Sequence, residues 1–119
     1  MQDSQTKQVF YRGTRICQEA QVKRVEGLEA RDLPWRLDLR NHSPTGLEWG
    51  YGGSGPSQLA LALLADAVED DFACQWHQAF KWAVVAGLPY EGWRLSLAEV
   101  REWSQRRRAE QPGTGASAT

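Results

Sequence analysis

The stretch Trp49-Gly50-Tyr51-Gly52-Gly53-Ser54-Gly55-Pro56-Ser57-Gln58-Leu59-Ala60-Leu61-Ala62-Leu63-Leu64 decides how this chain is read, because the sequence changes period across it. Before it, short runs alternate apolar and polar residues. After it, apolar residues recur every three or four positions. Within it, Gly50, Gly52, Gly53 and Gly55 fall inside six residues, which is costly to order and is used where backbone takes positive φ or approaches another group closely. Pro56 suits a first helical position, with Gly55 as N-cap and Gln58 bonding back to it. From Pro56 to Val68 only Ser57, Gln58 and Asp66 are polar, so this helix is expected to be buried on most sides and to form the hub of the core.

Working towards the N-terminus, Leu47-Glu48-Trp49 reads as a short extended piece preceded by the turn cluster Asn41-His42-Ser43-Pro44-Thr45-Gly46. Trp35-Arg36-Leu37-Asp38-Leu39-Arg40 alternates strictly and reads as a strand with one buried face. A further strand is expected over residues 19–25, and another over Gln8 to Arg12, ending in a turn at Gly13-Thr14. Towards the C-terminus, Phe72, Trp76, Ala79, Phe80, Ala83, Val84 and Gly87 mark an amphipathic helix that places Trp76 in the core and leaves Trp82 partly exposed. Gly92 and Trp93 read as loop. Ser96-Leu97-Ala98-Glu99 is a capping box that opens a third helix, with Leu97, Val100 and Trp103 inward and Arg106 to Arg108 in its last turn. The expected fold is α+β, a small antiparallel sheet from the N-terminal half packed against about three helices from the C-terminal half. The domain spans residues 7–108, with polar tails at 1–6 and 109–119.

Composition sets the bounds. A chain of 119 residues has room for one core. Its 14 basic and 15 acidic residues give a net charge of −1, so no global basic field favours nucleic acid. Cys17 and Cys74 are far apart and form no paired motif, which fits reduced thiols and a cytoplasmic setting. No apolar run is long enough for a membrane span, and six Trp in so short a chain need cover or a partner.

Chemistry is sparse. Gly50, Gly52 and Gly55 match G-x-G-x-x-G, but the helix that follows leads to another helix and not to a parallel strand, and no G-K-[ST] is present. The turn reads as close packing between sheet and helix, as an anion site at the helix N-terminus, or as a contact loop. The candidate binding residues are Asn41, His42, Ser43, Trp49, Tyr51, Gly52, Gly53, Ser54, Gly55 and Trp82. Asp70, Cys74, His77 and Lys81 share one face of the second helix, expected to be solvated and without enough ligands for a metal. No catalytic residue, cofactor or metal is called for.

Residues 39–64, with Phe80-Lys81 and the segment from Trp93 to Trp103, resemble a family of small bacterial, plasmid and phage proteins known only as a domain of unknown function. The resemblance implies a compact α+β domain of a kind often carried on mobile genetic elements, and no transferable activity. Such proteins often bind a host or defence protein, so the expectation is a non-enzymatic interaction protein with a protein partner. The alternative is a domain that binds a phosphate-like anion at the glycine turn.

Overall fold

The computed structural model describes residues 8–110, which form four strands and three helices. Strands β1 (Val9–Ile16), β2 (Glu19–Glu26) and β3 (Glu29–Asp32) follow one another as a meander. The helices α1 (Ser54–Ala67) and α2 (Asp70–Ala83) come next, then a 3-10 turn at Val85–Gly87, strand β4 (Trp93–Ser96) and helix α3 (Leu97–Glu110). The sheet is antiparallel in the order β3-β2-β1-β4, so its fourth strand comes from the C-terminal half.

The α+β class and the three helices agree with the sequence, whereas several boundaries do not. β1 runs through Gly13 and Thr14, and the hairpin turns at Cys17-Gln18, where φ is 51° and 73°. Two left-handed residues give the turn the twist its flanking strands need. Full cross-strand pairing from Val9↔Glu26 to Ile16↔Glu19 holds that strained turn in place. Residues 35–40 form no strand. Arg36 takes φ 59° and forks onto Asp38 and Asp70, and Leu39 N–H donates to the Arg36 carbonyl at 3.0 Å. Leu47 to Trp49 is likewise outside the sheet, held instead by Glu48 N–H donating to the Gly55 carbonyl at 3.3 Å. Trp93, expected in a loop, opens β4 opposite Gly13. Trp76 is half-buried and not core, with the Arg107 guanidinium over its ring. Among the tail residues, Ala109 and Glu110 continue α3, and residues 1–6 and 111–119 lie outside the described ones.

Helix α1 is the hub. Eleven of its fourteen residues are buried, including every residue from Gly55 to Leu64, so it has no solvent face to speak of. Its one acid, Asp66, accepts from the Tyr11 hydroxyl at 2.6 Å and from Arg24 Nε at 2.7 Å, tying the helix to β1 and β2. Burial and this carboxylate push the Tyr11 phenol far above its ordinary value, so it is a fixed donor. Helix α3 begins on the expected box: Ser96 Oγ accepts from Glu99 N–H at 2.9 Å, and Glu99 Oε1 accepts from Ser96 N–H at 2.8 Å. Its Trp103 ring stands edge-on to Phe80 and Phe72 at 5.0 and 6.3 Å. Among the described residues, no helix is long and apolar enough to cross a membrane.

Gly13 is where the sheet meets this core. A Cβ there would stand 2.3 Å from Trp93 Nε1, inside the indole that itself packs edge-on to Trp49 at 5.5 Å. Gly13→Ala is therefore expected to lower stability by about 1–3 kcal/mol, read as a lower urea midpoint. Gly87→Ala, with nothing within 4 Å of its added Cβ, is expected to stay within about 0.5 kcal/mol.

Candidate functional site

The glycine turn lies on the surface between β1 and α2, and its geometry starts from one arginine. Arg15, on the last turn-proximal stretch of β1, is held between two rings, its guanidinium 4.4 Å from the Trp49 centroid and 3.8 Å from the Tyr90 centroid. It donates to the Tyr90 carbonyl at 2.7 Å and forks onto Glu48 at 2.8 and 3.2 Å. Trp49 Nε1 donates to the same Tyr90 carbonyl at 3.0 Å. The charge-assisted fork fixes the loop before the glycine turn and the loop after α2 on one strand end.

On this base the turn presents aromatic rings. Gly50 N–H donates to the Val85 carbonyl at 3.1 Å and is the only glycine of the turn at positive φ. Gly52 lies under Trp82, where an added Cβ would come within 2.1 Å of the indole, and Tyr51 folds back over Gly53. Trp82 is 64% exposed, Tyr90 53% and Tyr51 52%, so three large rings stand in water around the turn. The Lys81 ammonium sits 4.3 Å from the Trp82 centroid with its stem buried. Partial burial, and after it the Glu48 carboxylate, push the Tyr51 phenol above its ordinary value, so it stays a neutral donor.

Beneath the turn, the polar loop is fastened to the helices. Gln58, fully buried, accepts from the N–H groups of His42 and Ser43 at 2.7 and 3.1 Å and donates to the carbonyls of Trp35 and Arg40 at 2.7 and 3.0 Å. It does not cap the helix as the sequence suggests; Gly53 is the N-cap, and no side chain bonds there. Ser43 is buried with Oγ donating to the Gly46 carbonyl at 2.7 Å. His42 Nε2 meets His77 Nε2 at 2.9 Å. The α2 face carrying Asp70, Cys74, His77 and Lys81 is thus solvated only at its start: Asp70 is exposed and Cys74 half-buried, whereas His77 and Lys81 are buried under this loop and Trp82. Among the described residues no three His, Cys, Asp or Glu side chains converge.

Between β2 and the loop runs a cleft of about 780 Å³, within the range of ligand sites. Its floor includes Val22, Leu33 and Leu47, and Trp35 and Tyr51 stand at its mouth. Glu19, Asp32 and Glu48 are its charged lining residues, with no Lys or Arg among them.

The candidates named from sequence therefore separate. Tyr51, Gly52, Gly53 and Trp82 form the aromatic face; Ser43, Tyr51, Ser54 and Gly55 line the cleft; His42 and Ser43 belong to the fastening. Asn41 is exposed beside them, and Trp49 is wholly buried and supports without touching solvent. Arg15, Glu48 and Tyr90 were not among the candidates, and the sequence placed Gln58 at the helix cap and His77 on a solvated face. A glutamine in an otherwise apolar helix was the one visible signal among them.

The model of a family of unknown function, DUF6166, matches residues 11–106. No curated protein and no solved structure matches the chain.

The histidine pair makes the fastening sensitive to acid. His77 Nδ1 donates to the Ala73 carbonyl at 2.9 Å, which leaves Nε2 as acceptor for the proton on His42 Nε2. Burial holds both imidazoles below their ordinary values; Arg40 and Lys81 add to this at His42, and the His42 and Arg40 charges at His77, against its carbonyl bonds. The folded state keeps both neutral while the unfolded chain takes up protons below about pH 6.5, so this stability is complete above that value and is lost as pH falls. Urea midpoints are expected to decline between about pH 7.5 and 5.5, with a flatter profile in His42→Asn/His77→Gln.

Proposed function

We propose that this chain, which belongs to that family of unknown function, is a non-enzymatic protein-binding module whose contact surface is the aromatic face of the glycine turn. One observation carries the reading: Tyr51, Trp82 and Tyr90 are each at least half exposed, yet Tyr90 stacks on the Arg15 guanidinium, Trp82 lies over Gly52 beside the buried Lys81, and Tyr51 lies over Gly53. Rings of this kind dominate interface energetics because they bury large areas at little entropic cost. The surface is organised before binding, so little ordering free energy is lost on association.

Among the described residues, no nucleophile, base and orienting group are brought together at the face. The anion reading finds no support in the cleft, which has no Lys or Arg among its lining residues and whose Glu48 and Asp32 already take up Arg15 and Lys23. The resemblance of residues 39–64 to small phage and plasmid proteins supports a partner from the host or its defence apparatus.

The test begins with affinity capture from the native host and continues with the captured protein purified. Trp82→Ala is expected to weaken that complex about thirtyfold, corresponding to about 2 kcal/mol for a hot-spot ring. Tyr90→Ala is expected to weaken it less, and Leu28→Ala not at all, since the fully exposed Leu28 lies at the far end of the hairpin. Equal affinity of wild type and folded Trp82→Ala would refute the proposal.

A further inference from the structure

The cleft contains an unused sheet edge. β3 pairs with β2 only from Lys23↔Asp32 to Glu26↔Glu29, and one more bond, Leu33 N–H to the Val22 carbonyl at 3.1 Å, ends the ladder. At Pro34 the chain turns away. That last bond fixes which way β2 faces. In an antiparallel strand the N–H and C=O of one residue point to the same side, and alternate residues share it. The Val22 carbonyl points away from β1, so the peptide groups of Ala20 point away from β1 as well. Ala20 N–H, Ala20 C=O and Val22 N–H accordingly project into the cleft, and they have no backbone partner among the described residues.

Such an edge is a template for another strand, and proteins normally shorten, charge or cover it. Here it is recessed. The loop carrying Thr45, Leu47 and Glu48 walls the far side, leaving a slot open to solvent. An extended segment lying in this slot continues the line of β3 and meets two or three backbone groups over about 10 Å of strand. Its alternate side chains reach the floor at Leu33 and Leu47, while Tyr51 stands at the mouth between this slot and the aromatic face.

We infer that the partner enters as an extended peptide segment that adds a strand to the free edge of β2 at Ala20 and Val22. This rests on the reading of the chain as a protein-binding module and names the conformation of what it binds. Strand addition takes its affinity from main-chain bonds and its specificity from alternate side chains.

The probe is a displayed library of random twelve-residue peptides, selected on the full-length protein. Selected peptides are expected to slow hydrogen exchange of the Ala20 and Val22 amides at least tenfold. They are expected to lose at least tenfold in affinity for Ala20→Pro, which removes the cleft-facing N–H and no bond to β1. Should Ala20→Pro fail to fold, the same peptides carrying N-methyl groups at alternate positions keep the test: methylation in one register is expected to abolish binding and in the other to spare it. Failure to select any peptide, protection confined to other amides, or indifference to both changes would overturn the inference. Trp82→Ala separates the two readings. Peptides that need Ala20 but not Trp82 uphold the edge even if the aromatic face fails, and peptides that need Trp82 but not Ala20 overturn the edge alone.

Discussion

A single side-chain amide holds the irregular half of this protein in place. Gln58 sits in a helix with no solvent face, and all four of its hydrogen bonds go to backbone groups of the loop between β3 and α1. A buried amide left unpaired costs a few kcal/mol, and so does each backbone group it serves. The helix and the loop therefore specify each other: closing the loop around the amide satisfies both.

From that constraint the surface follows in order. With Trp35 and Arg40 drawn to one amide, the chain between them turns back on itself, and Arg36 reaches α2 through Asp70. With His42 and Ser43 fixed, the next residues become a wall opposite β2, which creates the cleft. Glu48 then arrives at Arg15, which sits between Trp49 and Tyr90 and sets the base on which the glycine turn lies. The glycines act mainly through close approach: Gly52 is small because Trp82 lies on it.

The helices were legible because period and capping are local properties. The apolar run after Pro56, the stripe of α2 and the box at Ser96 each need only a few neighbours to be read. The sheet was less so. β3, Glu-Ala-Arg-Asp, is exposed throughout and carries no alternation, as an edge strand can afford. β4 is four residues long and takes its identity from a partner eighty positions away, at Gly13. Residues 35–40 alternate as a strand does, but Gln58 competes for the same carbonyls and wins. Of the aromatic face, Tyr51 and Trp82 could be named from exposure and turn chemistry, whereas Tyr90 depends on Arg15 across 75 residues.

The most direct measurement is hydrogen exchange on Gln58→Met, which keeps an unbranched side chain of similar length and removes the amide. The account requires the His42 and Ser43 amides to exchange slowly in the wild type and to lose that protection in the variant, together with at least about 3 kcal/mol of stability. Unchanged protection of those two amides in a variant of wild-type stability would contradict it.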